Sequence, residues 1–352
     1  MNSSERPGLL LTNLGTPDEP TTGAVRRYLR EFLSDARVLD IPGPLRAMLV
    51  NGIIAPLRGP KSAAAYRTVW TEAGSPLLAL SLELRDALRS QLPGLPIELG
   101  MRYGNPSLES ALDALLEANC DRIVLLAMYP QYASSSSGST IEAVYRLAAK
   151  RWNTPNLEVV PAFYEAPWFL DAQARLIDEK RKAANTDHVL FSYHGLPERH
   201  CRKSDSSGTH CLASEDCCSK IVISNRHCYR AQCFATTRGL TERLGLEAKQ
   251  HTVAFQSRLG RDPWIRPFTD EVVVELAKSG VKRLLVSCPS FTVDCLETLE
   301  EIGDRAREDF IQAGGEHLEL VPCLNADPRW VQGLAGGLRE RWFRGVEEPV
   351  RA

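Results

Sequence analysis

Short runs of apolar and β-branched residues alternate along this chain with stretches in which apolar positions recur every three or four residues. The runs at 9–14, 97–102, 122–129, 157–160, 188–193, 251–258, 281–288 and 318–323 predict strands. The helical period predicts helices over 21–34, 77–90, 108–118, 141–150, 168–182, 236–245, 269–279, 294–313 and 328–343. Strand, turn and helix in strict alternation are the mark of βαβ units and a parallel sheet. The run at 122–129 is rich in Ile, Val and Leu and therefore reads as a strand covered on both faces. After the break at Pro155 the pattern restarts, so the second half repeats the architecture of the first. The expectation is an α/β chain of two similar doubly wound domains with parallel sheets and a cleft between them, bounded at 1–162 and 163–330, with 331–352 as a closing C-terminal helix.

Two stretches fall outside this rhythm. Residues 41–58 are apolar but repeatedly broken by Pro42, Gly43, Pro44, Gly52 and Pro56. They read first as an ordinary core-packing helix with loops, and second as an exposed apolar lip that borders a pocket or rests on a membrane surface. Residues 200–233 are polar, with Cys201, Cys211, Cys217, Cys218, Cys228 and Cys233 gathered among Ser, Asp, Glu and Lys. A segment so poor in apolar side chains cannot fold on burial alone, and a metal centre is the candidate that would order it.

Composition narrows the function classes. A chain of 352 residues exceeds what one core usually supports, and 43% hydrophobic with 24% charged residues is the make-up of a globular protein. A net charge of -2 and no basic run interleaved with aromatics argue against a nucleic-acid partner. No signal-peptide pattern and no bilayer-length apolar run is visible, so ten cysteines point to a reducing compartment. Cytoplasmic placement is expected, with contact at the inner face of the membrane through 41–58 as an extension. The sequence leaves monomer and homodimer open.

Three predicted strand ends in the second half carry polar clusters. His194 follows the first, Gln256-Ser257-Arg258 with Trp264 the second, and Asp294, Glu297 and Glu301 follow the third, Glu297 and Glu301 lying four apart on one helix face. Carboxyl ends of parallel strands share one sheet edge, which brings His194 opposite Glu297 and suits proton abstraction or transient coordination of a divalent metal. Taken singly, each has a plainer reading: a satisfied polar histidine, a solvated acidic helix face, core aromatics at Tyr129, Tyr132 and Trp264, and a helix-entry loop at Ser134 to Ser137. No Gly-x-Gly-x-x-Gly or P-loop signature is present, so nucleotide binding lacks support.

An ordered set of motifs changes this picture. Leu11-Thr12-Asn13-Leu14-Gly15-Thr16-Pro17, Gly59-Pro60-Lys61-Ser62 with Tyr66, Gly74-Ser75-Pro76-Leu77, Met101-Arg102-Tyr103-Gly104 and Tyr129-Pro130-Gln131-Tyr132 come first. Ser192-Tyr193-His194-Gly195-Leu196-Pro197, Phe255-Gln256-Ser257-Arg258 with Pro263-Trp264, and Asp294-Cys295-Leu296-Glu297-Thr298-Leu299 follow. Together, from about residue 9 to about 330, they resemble the ferrochelatases, which insert Fe²⁺ into a porphyrin to make haem. The resemblance implies a chelatase-type fold of two Rossmann-like domains, with porphyrin and ferrous iron as substrates. It implies His194 as the active-site histidine that accepts pyrrole protons, and Glu297 as the carboxylate across the ring that conducts iron or removes protons, with both as contacts for substrate iron. Asp294 and Glu301 back Glu297 as an acidic path. Tyr129, Ser135, Arg102 and Trp264 would contact the porphyrin. Protoporphyrin IX is the expected porphyrin, with coproporphyrin III or another tetrapyrrole as the enzymatic alternative and a two-lobed binding protein as the distant one.

The chain departs from the common ferrochelatase pattern at its cysteine segment, where most of the family has a short loop. Some relatives carry a [2Fe-2S] cluster on such an internal segment, so the resemblance implies that cofactor here. Six thiols spaced Cys201-x9-Cys211-x5-Cys217-Cys218-x9-Cys228-x4-Cys233 compete for four positions. Cys211, Cys217, Cys218 and Cys228 are the favoured ligands, Cys201 and Cys233 the alternates. Zinc held by Cys with His200, His210 or His227 stays open, although no C-x2-C pair is present.

Overall fold

The computed structural model describes residues 5–260 and 262–344. Among the described residues, eight strands form two separate four-stranded sheets, and every pairing between these strands is parallel. The first sheet contains β1 (Pro7–Thr16), β2 (Ile97–Gly104), β3 (Arg122–Ala127) and β4 (Asn156–Val159) in the order β2-β1-β3-β4. The second contains β5 (His188–His194), β6 (His251–Gln256), β7 (Arg283–Ser287) and β8 (His317–Leu320) in the order β6-β5-β7-β8. In each sheet the order reverses beside the first strand, which is the doubly wound arrangement.

The chain divides into two compact units. One takes the chain up to Tyr129, then Ser134–Pro161 and the C-terminal helix Pro328–Arg341; the other takes Pro130–Ala133 and Ala162–Leu324. The closing helix is thus part of the first unit. It packs on the helix Pro76–Gln91, where Arg339 donates to the Gln91 carbonyl at 2.7 Å. Within the first unit, Leu10, Leu108, Leu112, Leu115, Ile123 and Val144 form one face of the core. In the second, Leu190, Val273, Leu284, Val286, Ile302 and Phe310 do the same. Strand β3 is buried at every position, which is what its unbroken apolar run requires.

Glycine is obligatory where β1 ends. Gly15 has φ of +110°, and a Cβ there would stand 1.7 Å from the Tyr103 carbonyl oxygen of β2. Three helical stretches depart from the sequence pattern. The apolar stretch at 41–58 forms an almost continuous helix, Gly43–Leu49, a π turn Val50–Ile54, and Ala55–Val69 with Pro60 inside it. Leu45, Met48, Ile53 and Leu57 remain exposed on it, Leu57 at 74%, so the core-packing expectation is corrected: only Val50 and Ala55 of this stretch are buried. The helix expected at 236–245 starts earlier and runs Tyr229–Leu244. The helix expected at 294–313 is α-helical only at Leu296–Thr298 and Arg307–Gln312, with a π segment Leu299–Ala306 between. Among the described residues no helix is long and apolar enough to cross a membrane.

A buried polar knot ties β2 to its neighbours in the first unit. Asp35 accepts from the Arg102 guanidinium at 2.6 Å, from the Tyr103 hydroxyl at 2.9 Å, from Ser139, and from the Arg37 amide at 2.7 Å. Burial works against the Asp35 charge, but these donors outweigh it and hold the carboxyl below its ordinary value. A depressed carboxylate stabilises the fold fully above its unfolded value near 3.8, and the contribution fades as pH falls through the lower folded value. Asp35→Ala should therefore cost about 3 kcal/mol near neutral pH by leaving Arg102 half-buried without its partner. Urea unfolding of both proteins across pH should show that difference shrinking only below about pH 4; a difference that is absent at neutral pH would contradict this account.

Candidate active site and thiol cluster

The candidate site in the second unit is built from the carboxyl ends of β5, β6 and β7. Parallel pairing places His194, the last residue of β5, in register with Gln256, the last of β6. The chain leaves β5 by a tight route: the Gly195 amide donates to the Gln256 carbonyl at 2.7 Å, and a Cβ on Gly195 would meet that same oxygen at 2.8 Å. From the loop after β7, Ser290 Oγ accepts the His194 amide proton at 3.2 Å, and Phe291 lies against the imidazole with ring centroids 6.3 Å apart. The ring's Nδ1 lies 2.6 Å from the Gly195 carbonyl, which can only accept. Nδ1 therefore carries the hydrogen, and Nε2 of the neutral ring holds the lone pair.

Glu301 lies within electrostatic reach of both His194 and Glu297. Burial first, then the neighbouring Glu297 charge, raises the Glu301 carboxyl above its usual value; Ser257, His194 and Arg305 oppose that rise. Ser257 donates its amide to Glu301 Oε1 at 2.9 Å and its hydroxyl to Oε2. Glu297 and Glu301 straddle the junction where the α turn passes into the π segment, and Ile302 anchors that segment in the core. Asp294 is buried and occupied structurally: it accepts from Thr298 Oγ1 at 2.9 Å and from the Cys323 amide at 3.2 Å. Trp264 sits beside Gly195, its indole N–H donating to the Leu259 carbonyl at 2.8 Å.

Tyr129, Ser135 and Arg102 belong to the first unit. Arg102 is committed to Asp35 and Ser139 and lies over the Tyr103 ring at 4.4 Å. Burial pushes the Tyr129 hydroxyl well above its ordinary value, and Ser135 is half-buried on the π turn Ser134–Gly138.

All six segment cysteines are free and buried. Cys228, which caps the helix Tyr229–Leu244, is in contact with Cys201, Cys211 and Cys218; the Cys201 thiol is the largest influence raising it to about 11. Cys217 and Cys218 sulfurs are 3.7 Å apart, and Arg230 donates to Cys218 Sγ at 3.2 Å. Cys233 is fully buried on the helix and neighbours Tyr229. Among the described residues no three Cys, His, Asp or Glu side chains are already closed around a point a metal ion could take. His210 Nε2 is 3.0 Å from the Cys217 carbonyl, and His227 is exposed with its ring against Tyr132.

Polar groups that composition hides order this loop. Asp205 accepts the Cys211 and His210 amides at 2.8 and 2.7 Å, and these bonds with Ser207 draw its carboxyl far down. Asn225, wholly buried, donates to the Cys217 and Lys220 carbonyls at 2.9 Å and accepts from the Val222 amide. Sequence reasoning missed both, although Asp and Asn before loop turns are an available signal. It also missed Ser290, and it grouped Gln256 and Ser257 with the polar strand ends without giving either a role.

The family model described as Ferrochelatase matches residues 6–341. A ferrochelatase of Azotobacter vinelandii is 49% identical over 328 residues, covering 93% of this chain and 96% of its own. One from Coxiella burnetii is 47% identical over 336 residues, covering 95% and 94%, and one from Legionella pneumophila is 47% identical over 338 residues, covering 96% and 100%. Among solved structures, SirB from Bacillus subtilis with Fe³⁺ aligns over 95% of both chains at a TM-score of 0.52 and 9% identity, a likeness of fold alone. With the strand ends, the histidine and the acidic helix all inside the matched span, the chain belongs to the ferrochelatase family.

Proposed function

We propose that this ferrochelatase inserts Fe²⁺ into protoporphyrin IX to give protohaem, with His194 and Glu297 as the reacting groups. The observation that carries the reading is one imidazole, its tautomer set by the Gly195 carbonyl, within electrostatic reach of Glu301, which in turn neighbours Glu297. Metallation must remove two N–H protons from the ring and strip water from the cation. The Nε2 lone pair of His194 suits the first task. Glu297 offers oxygen ligands to a divalent cation, and Glu301, whose raised carboxyl holds a proton more readily than a surface glutamate, suits relay of the released protons. Asp294 supports the start of their helix.

Protoporphyrin IX has fewer carboxylates than coproporphyrin III and is the more membrane-soluble of the two. The exposed side chains of Leu45, Met48, Ile53 and Leu57 suit peripheral contact with the inner face of the membrane, where such a substrate would be met. Anaerobic assays with Fe²⁺ should give the higher kcat/KM on protoporphyrin IX; faster turnover of coproporphyrin III would reverse the choice of porphyrin. His194→Ala should lower turnover at least about a hundredfold while porphyrin fluorescence quenching persists; activity at the wild-type level would remove His194 from the chemistry. In a flotation assay the chain should rise with liposomes and Leu57→Glu should not; equal behaviour of the two would contradict membrane contact through this helix.

A [2Fe-2S] cluster is proposed for the cysteine segment. The donor chemistry fits: buried thiols adjoin one another beside an arginine that already donates to sulfur, as a thiolate-bound anionic centre needs. Cys211, Cys217, Cys218 and Cys228 would hold it, with Cys201 in contact with Cys228 as the alternate to Cys217. When bound, such a centre supplies one-electron redox chemistry and cross-links the loop. The purified chain should contain about two iron and two sulfide per molecule and absorb in the visible. Cys211→Ser, Cys217→Ser, Cys218→Ser and Cys228→Ser should each abolish that absorbance, and Cys233→Ser should not. Loss in Cys201→Ser with retention in Cys217→Ser would move the fourth position, and zinc without sulfide would contradict the cluster.

A further inference from the structure

The dipeptide at the end of β6 touches both halves of the acidic helix. Gln256 is 3% exposed, and its side chain is fixed at both ends: Oε1 accepts the Ser192 hydroxyl at 2.7 Å, and Nε2 donates to the backbone carbonyl of Glu297 at 2.7 Å. The next residue, Ser257, has φ of +68°, a left-handed conformation uncommon for a side chain other than Gly, Asn or Asp. That turn brings its amide and its hydroxyl together onto the two oxygens of Glu301. An outlier of this kind persists only where the surroundings hold it, and here its effect is two donors on one carboxylate.

The helix changes register between these two grips. Leu296–Thr298 is α-helical and Leu299–Ala306 is π-helical. A carbonyl already satisfied by a side-chain amide relaxes the demand for its usual partner four residues on, which eases the passage to five-residue spacing. Ser192 lies two residues before His194 on β5, so the strand that ends in the imidazole also anchors Gln256.

We propose that Gln256 and Ser257 are positioning residues for metal insertion, one gripping the Glu297 backbone and the other the Glu301 carboxylate, so that both carboxylates are aimed from the strand end beside His194. This deepens the ferrochelatase reading and rests on it. Misplacing a reacting group by a fraction of its size costs tenfold to about a hundredfold in rate without loosening substrate.

The test uses the full chain with Gln256→Met, which keeps length and loses the amide, and Ser257→Gly, which suits the left-handed backbone and loses only the hydroxyl. We expect each to lower kcat about tenfold or more, with porphyrin affinity by fluorescence quenching within about twofold of wild type. Ser257→Gly should keep the wild-type thermal midpoint, and the double variant should be no slower than the slower single, because both act on one helical turn. Wild-type kcat in both singles, or losses that follow porphyrin affinity, would overturn the proposal. Amide hydrogen exchange separates the two readings: a wild-type chain that fails to metallate refutes the function. Unchanged exchange over Leu299–Ala306 in both variants refutes the grip whatever the activity.

Discussion

Parallel pairing of β5 with β6 and β7 is the constraint from which the candidate site follows. Because the strands run the same way, their carboxyl ends reach one sheet edge, and the register sets His194 beside Gln256. The exit loops then have no freedom to wander. Gly195 turns against the Gln256 carbonyl at a distance that excludes a side chain, and Ser290 takes the His194 amide proton. The imidazole's tautomer is a product of that same turn, since the Gly195 carbonyl can only accept. Chemistry here is inherited from strand geometry.

The acidic helix shows how a local break serves the same edge. In a regular α-helix, Glu297 and Glu301 would be an ordinary pair four residues apart on a solvated face. The π segment, with Ile302 held in the core, keeps Glu301 turned inward at the cost of desolvation that raises its carboxyl. Ser257 offsets part of that cost through two hydrogen bonds to the charged form. The carboxyl is left above its usual value by burial and fixed in direction by its two donors.

Much of this was legible in the sequence, for identifiable reasons. All eight strands and the repeat between the halves follow from apolar runs whose period is unambiguous, as in fully buried β3. The placement of His194, Glu297 and Glu301 at one sheet edge was legible because they follow strand ends. The π register was not legible, since the side-chain amide that grips its start comes from Gln256, 41 residues away along the chain. The stretch at 41–58 misled because Pro and Gly suggested interruptions, whereas Pro56 falls at the start of a helical turn that accepts it. The order of the cysteine loop was hidden for a different reason: Asp205 and Asn225 hold it through backbone amides and carbonyls, which composition does not report.

The central claim is that one imidazole and one carboxylate, delivered by separate strand ends, act as a unit in metal insertion. Single-turnover metallation by His194→Gln, Glu297→Gln and the double variant tests it most directly. If the two groups act together, the double variant will be no slower than the slower single. Losses that multiply would show two groups working independently and would contradict the account.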